Sequence, residues 1–285
     1  MEQKKTLTPA KKRMRKKKIQ NIVRRVVQLT FFIFLPSLFS EAFSGLKGLF
    51  RQIGQGEVLS WNAFLQTFLI LSVITILAGR WFCGFACAFG SLGDAIYGIS
   101  AWVQKKLKKR LPQIPEKVCV TLQKIKYLHL LFLLFACMLG MSNIMDSNSP
   151  WGAFSRMRML DFDIHGYFIG FLYLLLILIG MMFEERFFCQ FLCPLGAVFS
   201  LLPIIPAALL KRKETNCIPN CNACKKQCPV HHKVEGASLE SNECIRCGRC
   251  IGVCPKSNIK VGILQSFCNS SGRSARFAVQ TVKKD

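Results

Sequence analysis

Hydrophobic residues are concentrated in four segments of the chain, and polar residues flank each segment. The segments cover residues 26–43, 64–82, 127–144 and 167–183. Each is close to the length that an α-helix needs to cross a hydrocarbon core of about 30 Å, although all are at the short end. The first contains Pro36, which a membrane helix tolerates when neighbouring groups satisfy the freed carbonyl. The pattern therefore predicts four transmembrane helices.

Lys and Arg residues alternate in density between these segments. Eleven precede the first segment, two lie in the next loop, nine run from Arg80 to Lys126, two lie in the third loop, and fifteen follow residue 183. By the positive-inside rule, this alternation puts both termini in the cytoplasm. The basic start also imitates a signal peptide, but cleavage after Ala42 would leave three spans and spoil the alternation. The sequence thus predicts a multi-pass protein of the cytoplasmic (inner) membrane.

Composition agrees with membrane insertion and argues against a nucleic-acid-binding protein. The 285 residues are 51% hydrophobic, with a mean hydropathy of +0.32, which is too apolar for a soluble globular chain. The net charge of +24 comes from 39 Lys and Arg against 15 Asp and Glu. Because these basic residues flank apolar segments instead of forming a patch on a polar domain, membrane topology accounts for the charge.

The two halves of the apolar region resemble each other at an offset of 106 residues. Arg80-Trp-Phe-Cys83 matches Arg186-Phe-Phe-Cys189, and Gly90 matches Gly196. Each half would form one helical hairpin, and two hairpins in the same orientation imply a pseudo-two-fold axis along the membrane normal. Such an axis would allow the cysteine pairs that end the two hairpins to face each other.

A CxxxC pair ends each hairpin at its cytoplasmic edge. The four cysteines are Cys83, Cys87, Cys189 and Cys193. If each pair lies on one helix, its members share a face because they are four residues apart. A metal or cluster site shared by all four thiols, a redox-active dithiol, and small residues buried at a helix interface are all compatible with this pattern. The duplication favours a shared site, and the reducing cytoplasm disfavours disulfides.

Eight further cysteines form two compact runs after the last apolar segment. The second run, CIRCGRCIGVCP, has the spacing of bacterial ferredoxins, in which three thiolates hold one cubane and the fourth reaches a neighbouring cluster. The first run, CIPNCNACKKQCP, departs from that spacing by one extra residue after Cys217. A zinc ribbon would need two CxxC pairs set further apart. The two runs predict two [4Fe-4S] clusters and a ferredoxin-like module.

Crossed ligation would divide the eight cysteines into two sets. The first set would be Cys217, Cys221, Cys224 and Cys254. The second set would be Cys244, Cys247, Cys250 and Cys228. Clusters of this kind move one electron at a time, so a pair of them indicates electron transfer. No haem is expected, because His129 and His165 lie at opposite ends of the predicted membrane domain.

These patterns divide the chain into four parts. Residues 1–25 form a basic cytoplasmic N-terminus, and 26–210 form a four-helix membrane domain with the CxxxC pairs at its cytoplasmic edge. A ferredoxin-like α+β module follows over 211–264, and a basic tail covers 265–285. The predicted fold class is a mainly α membrane protein built from two repeated hairpins, with a small two-cluster module at its C-terminal end.

The combination of motifs resembles the NapH-type family of membrane iron–sulfur proteins, with the NosR and CcoG groups as relatives. The resemblance depends on the two CxxxC motifs, the second reading CQFLCPLG, and on the tandem ferredoxin-like runs. It implies the membrane component of a quinol dehydrogenase system, which passes electrons between the quinone pool and partner redox proteins. Ala88 stands where the family usually has proline, so the geometry of the first pair is expected to differ from that of the second.

Two other functions are compatible with the sequence. In a CcoG-like metal reductase, the four membrane-edge cysteines would bind and reduce copper on the cytoplasmic side. In a membrane redox sensor, the clusters would report oxygen or iron status to a partner protein. Iron content and the response of reduced clusters to copper would separate these functions from an electron carrier.

Overall fold

A computed structural model of the chain is mainly helical, with one small sheet. It describes residues 9–35, 37–58, 60–109, 111–112, 114–141, 144, 148–158, 164–203, 210–212, 217–231 and 242–261. The longer helices are α1 (Pro9–Phe34), α2 (Leu38–Gln55), α3 (Ala63–Ala78), α5 (Ala88–Leu107), α7 (Ile125–Met138) and α9 (Ile164–Phe183). The shorter helices are α4 (Trp81–Phe85), α6 (Glu116–Leu122), α8 (Pro150–Arg158), α10 (Phe187–Phe191), α11 (Pro194–Leu201), α12 (Ala223–Lys226) and α13 (Arg249–Val253).

The first predicted span is not one helix. Helix α1 ends at Phe34 and α2 begins at Leu38, and the two axes differ by 61°. Among the described residues, α6 and α7 together (Lys117–Met138) are the one helical stretch that is long and apolar enough to cross a membrane, and the bent α1–α2 pair would be a second span. Two further apolar helices, Ala63–Ala78 and Tyr167–Phe183, are shorter. The count of four spans therefore stays a prediction.

Helices α2 and α3 form a tight hairpin. Gly56, in the left-handed backbone region (φ 67°), ends α2, and the side chain of Asn62 caps α3 by accepting the backbone N–H of Leu65 at 3.0 Å. Gly45 of α2 lies directly against the backbone of Phe64 and Leu65, where a Cβ atom would collide with the carbonyl group. The hairpin therefore depends on short-range sequence signals at its turn and on a small residue at its contact.

Two apolar clusters fill the centre of the helical part and surround the membrane-edge cysteines. The larger cluster joins α2, α3, α4, α7 and α11 through buried residues that include Phe39, Phe82, Leu130 and Phe199. The smaller cluster joins α5, α8, α9 and α10 through Phe89, Ile177, Met181 and Phe188. Cys87 and Cys193 pack against both clusters. The core thus lies between the two halves of the repeat.

A two-stranded antiparallel sheet brackets the cysteine-rich part of the chain. Strand β1 (Leu210–Arg212) pairs with β2 (Ile259–Val261). The strands lie before the first cysteine run and after the second, so their pairing brings the two ends of this region together. Strand β1 crosses the predicted boundary at 210/211, and the domain limits stay a prediction. The predicted C-terminal tail, 265–285, lies outside the described residues.

Candidate functional site

Each membrane-edge cysteine pair lies at a break between two short helices. Cys83 is in α4 and Cys87 is the N-cap of α5, while Cys189 is in α10 and Cys193 is the N-cap of α11. Both N-cap residues have extended backbone, with ψ of 122° and 108°. The prediction that each pair shares one face of a single helix is therefore wrong. A helix N-cap leaves the helical conformation, which changes the direction of the second thiol in each pair.

The four thiols nevertheless converge, and below they are called the cysteine quartet (Cys83, Cys87, Cys189 and Cys193). A hydrogen bond joins the thiols of Cys87 and Cys189, and electrostatic interactions connect every other pair of the four. All four side chains are half-buried. The two halves of the repeat thus bring their cysteine pairs together, as the duplication predicted.

The pKa values of the quartet thiols are shifted in opposite directions. Burial raises the pKa of Cys83 to about 11 and also raises that of Cys193. The hydrogen bond from Cys87 lowers the pKa of Cys189 to about 7, against burial and with help from Arg186. The protein by itself therefore favours one thiolate among four thiols. A cationic metal or cluster would supply the positive charge needed to deprotonate the others.

Two buried arginines flank the quartet, and each extends from one half of the repeat to the other. Arg186 donates hydrogen bonds to the backbone carbonyls of Cys83 and Gly84. Arg80 donates to the carbonyl of Gly196 at 3.1 Å. Gly90 lies against the guanidinium of Arg186, where a Cβ atom would collide with it. The arginines therefore link the halves in both directions.

Arg186 is neutralised by Asp94 of α5. Its Nε and Nη2 atoms donate to the two carboxylate oxygens at 2.8 and 2.6 Å, and Arg24 of α1 binds the same carboxylate. Burial tends to raise the pKa of Asp94, but Arg186 and Arg24 outweigh it and lower that pKa to about 2. The Asp94 carboxylate of α5 thus joins α1 to Arg186, the N-cap residue of α10.

Arg80 is neutralised by Glu243 from the cysteine-rich region. The Glu243 carboxylate accepts hydrogen bonds from Arg80 at 3.1 Å, from the buried Lys126, and from the Tyr127 hydroxyl at 2.7 Å. Burial tends to raise the pKa of Glu243, but Arg80 and Lys126 lower it. The Tyr127 hydroxyl also bonds Ser200 at 2.8 Å. This network joins the cysteine-rich region to α4, α7 and α11.

The second predicted ligand set comes together in the structure. Cys228 interacts electrostatically with Cys247 and Cys250, and Cys244 interacts with Cys250. Cys228 belongs to the first sequence run and its three neighbours belong to the second, and their crossed ligation of one cluster stays a prediction. Burial raises the pKa of Cys250 to about 12 and also raises that of Cys247, so a cationic centre would favour ionisation of these two thiols.

The first predicted ligand set is partly assembled. Cys224 and Cys254, one from each run, both pack against the buried Ile259. Cys221 is half-buried and Cys217 is exposed. Cys244 and Cys250 of the second set pack against the same Ile259, so the two predicted sets are neighbours.

The quartet also adjoins the second ligand set. Cys83 and Cys228 pack together with a buried cluster of Val230, Ile245 and Cys247. Gly84, the residue after Cys83, lies against the Ile245 carbonyl, and a Cβ atom there would be 3.4 Å from the Cys247 Cα. Glycine is therefore what allows the two cysteine sites to approach so closely.

A cavity of about 420 Å³ is lined by His129 and Tyr173 and by none of the quartet cysteines. Its lining is mainly apolar, with polar groups from Lys47, His129, Tyr173 and Trp151. His129 donates a hydrogen bond from Nδ1 to the backbone carbonyl of Leu192 at 2.8 Å. Leu192 directly precedes Cys193, so His129 connects the cavity wall to the quartet.

The comparisons with known proteins agree with this arrangement. A family profile described as a 4Fe-4S binding domain matches residues 63–110 and 167–213, and each matched segment contains one CxxxC pair. An uncharacterized protein of Methanocaldococcus jannaschii is 30% identical over 241 residues, which cover 84% of this chain and 94% of the relative. The ferredoxin-type protein NapH of Haemophilus influenzae is 26% identical over 201 residues, or 67% of this chain and 65% of NapH. This chain belongs to the NapH-type family.

Other relatives extend the NapH-type family beyond proteins of similar length. The regulatory protein NosR of Pseudomonas aeruginosa is 29% identical over 206 residues, which are 68% of this chain but only 27% of NosR. No solved structure matches the chain. Membership of the NapH-type family makes the protein an iron–sulfur electron-transfer protein, and the mainly helical structure agrees with that family assignment.

Sequence reasoning missed several residues around the site of this NapH-type protein. Asp94 had a detectable signal, because it is the only acidic residue between Glu57 and Glu116 and lies in an apolar stretch. Isolated charges in apolar helices are buried with a partner more often than not. Glu243 and His129 had no comparable signal, since their partners are about 116 and 63 residues away.

Proposed function

We propose that this NapH-type protein carries electrons between the membrane quinone pool and partner redox proteins on the cytoplasmic side. The route would run through the first ligand set, the second ligand set and the cysteine quartet. The observation that carries this proposal is a set of three contacts along this route: Cys254 with Ile259, Cys228 with Cys83, and Leu192 with His129. When bound, iron–sulfur clusters supply one-electron transfer and no bond chemistry.

Exposed apolar surfaces support insertion in a membrane. Leu128 and Leu131 on α7 are 68% and 66% exposed, and Ile70 on α3 and Ile169 on α9 are each 60% exposed. A soluble protein rarely leaves such faces on several helices in water. With both termini on the cytoplasmic side, as the distribution of basic residues predicts, the two ferredoxin-like runs and the quartet would face the cytoplasm.

The cavity beside the quartet supports binding of a quinone. Its volume falls in the usual range for small-molecule sites, and its mainly apolar wall suits a lipid-soluble ring. Because a carbonyl can only accept a hydrogen bond, Nδ1 of His129 carries the proton and Nε2 is left as an acceptor. Oxidation of one quinol releases two electrons and two protons. His129 would accept one hydroxyl proton and water the other, while the two electrons leave one at a time toward the quartet.

Iron content tests the number of clusters. Anaerobically purified protein should contain about twelve iron atoms and as much acid-labile sulfide per chain if the quartet holds a cluster, and about eight if only the ferredoxin-like runs do. Electron paramagnetic resonance of the reduced protein should report one spin signal for each cluster, so that the number of signals equals the number of clusters. Fewer than about four iron atoms with zinc present would exclude the electron-transfer route. An eight-iron protein whose reduced clusters are reoxidised by copper would instead favour a metal reductase.

The quinone site is tested by His129→Gln in the full-length protein. Glutamine can still donate to the Leu192 carbonyl but cannot accept a proton as imidazole does. We expect the rate of cluster reduction by a soluble quinol to fall by about 10²-fold or more, with iron content unchanged. Phe135→Leu, which alters the same cavity without removing a polar group, should retain most of the rate. An unchanged rate in His129→Gln would exclude this cavity as the quinol site.

A further inference from the structure

Three potential metal ligands meet away from the predicted cluster ligands. The thiol of Cys119, a carboxylate oxygen of Glu184 and an imidazole nitrogen of His231 all lie within 4.8 Å of one another. Cys119 lies in α6, Glu184 directly follows α9, and His231 follows the Cys228-Pro229 pair that ends the first ferredoxin-like run. The three residues are 47 to 112 positions apart in sequence, so no spacing motif identifies them.

The group is well shielded from solvent. Cys119 is 0% exposed and Glu184 is 5% exposed, while the His231 side chain is 29% exposed. Nε2 of His231 is 2.7 Å from Oε1 of Glu184. The carboxylate and the imidazole are therefore in direct contact.

The backbone around His231 is held in an unusual position. His231 has a φ of 41°, in the left-handed region that costs a non-glycine residue about 1–3 kcal/mol. Gln123 donates to the Val230 carbonyl at 2.7 Å, and Gln190 donates to the Pro229 carbonyl at 2.8 Å. Two amide side chains thus direct the segment that presents the imidazole toward Glu184 and Cys119.

The donor set has a clear chemical preference. Thiolate, imidazole and carboxylate together are the ligands of Zn²⁺ and similar borderline divalent ions, whereas iron–sulfur clusters of the ferredoxin type use thiolates. With bonds of about 2.0–2.3 Å, ligand atoms of a tetrahedral zinc ion lie roughly 3.3–3.8 Å apart. To close on an ion, the 2.7 Å contact between His231 and Glu184 must lengthen, and the separations of up to 4.8 Å must shorten, by side-chain rotation.

We propose that Cys119, Glu184 and His231 bind one Zn²⁺-type divalent ion. The ion fastens the segment after Cys228 to α6 and to the end of α9, and one coordination position is left for water. It thereby fixes the ferredoxin-like region against the helices beside the quartet. This site is independent of the proposed quinone function, because it neither lies on the electron route nor uses its ligands.

X-ray absorption at the zinc edge tests the site in full-length, iron-loaded protein. We expect about one zinc per chain, with one sulfur at about 2.3 Å and nitrogen and oxygen ligands at about 2.0–2.1 Å. A zinc ion surrounded by four sulfurs would mean that zinc had replaced iron in a cysteine site, and it would overturn the proposal. So would less than about 0.1 zinc per chain after growth with added zinc.

Cys119→Ser should remove the sulfur signal and most of the zinc while iron and acid-labile sulfide stay at the wild-type level. Cys137→Ser is the matched control, because Cys137 is also a fully buried cysteine but lies elsewhere, in α7. If Cys119→Ser fails to fold, His231→Gln provides the second test, because the His231 side chain is the most exposed of the three. Full zinc occupancy in either Cys119→Ser or His231→Gln would contradict the proposal.

Discussion

The two halves of the repeat carry matching arginines, but these arginines are neutralised in different ways. Arg186 of the second half binds Asp94, which lies in α5 of the first half. Arg80 of the first half binds Glu243, which comes from the cysteine-rich region. At the repeat offset of 106 residues, the position equivalent to Asp94 is Ser200. The second half therefore lacks the acidic residue that the first half has.

Glu243 supplies the missing carboxylate at almost the same place. Ser200 and Glu243 are both hydrogen-bonded to the Tyr127 hydroxyl, at 2.8 and 2.7 Å. The first half thus completes its ion pair within the helical core, while the second half completes it only when the cysteine-rich region docks. The second half therefore depends on the cysteine-rich region. Because Ser200 carries no charge, the buried Arg80 needs the carboxylate of Glu243 from that region.

The largest expected effect comes from removing the acid of the more buried pair. Asp94→Asn leaves Arg24 and Arg186 buried without a carboxylate, and we expect a loss of about 3–5 kcal/mol in the free energy of unfolding. Glu243→Gln should cost less, because the Glu243 side chain is 23% exposed and that of Asp94 is 12% exposed. Thermal unfolding in detergent, with iron content measured in parallel, checks the order. A larger effect in Glu243→Gln would contradict the comparison.

Matching glycines should respond differently in the two halves. A Cβ at Gly90 would collide with the Arg186 guanidinium, whereas at Gly196 it would meet Cys193 side-chain atoms at 3.4 Å and the Cys189 carbonyl oxygen at 3.6 Å. We expect Gly90→Ala to destabilise the protein by about 1–3 kcal/mol, as overpacking of a buried site does. Gly196→Ala serves as the control and should change the unfolding free energy by less than about 1 kcal/mol. Equal costs for the two variants, measured by chemical unfolding, would argue against the asymmetry.

Restoring the missing acid should make Glu243 dispensable. In the double variant Ser200→Asp with Glu243→Gln, a carboxylate returns to the vicinity of Tyr127 and Arg80. We expect it to recover about 1–2 kcal/mol of the stability lost in Glu243→Gln. Ser200→Asn in the same background has nearly the same shape without the charge and should recover none. The unfolding midpoints of these variants decide the point, and rescue by asparagine would show that shape, not charge, matters.

The smallest expected effect concerns the proline that only the second half has. Pro194 is the first residue of α11, where its fixed φ suits a helix start. Pro194→Ala makes that position match Ala88 and should cost about 0.4–1 kcal/mol, mainly by increasing the entropy of the unfolded chain. The backbone of Cys87, with ψ of 122°, already resembles that of Cys193, so the spectrum of the bound centre should not change. An altered spectrum would show that Pro194 shapes the site itself.

The sequence by itself determined the features that are local along the chain. The eight cysteines of the ferredoxin-like runs lie within 38 residues, from Cys217 to Cys254, and their spacing alone indicates their chemistry. The repeat also follows from sequence, because duplicated hairpins keep their residues in register: Arg80 with Arg186, and Gly90 with Gly196. The convergence of the two CxxxC pairs could be predicted from that register.

Only the tertiary structure decided which distant residues meet. The partnership of Arg80 with Glu243 and the group around Cys119 have no periodic or spacing signal. Each depends on the packing of elements far apart in sequence, and packing is set by shape and buried charge across the whole core. Residue spacing therefore identifies the cysteines, whereas folding determines which charges surround them.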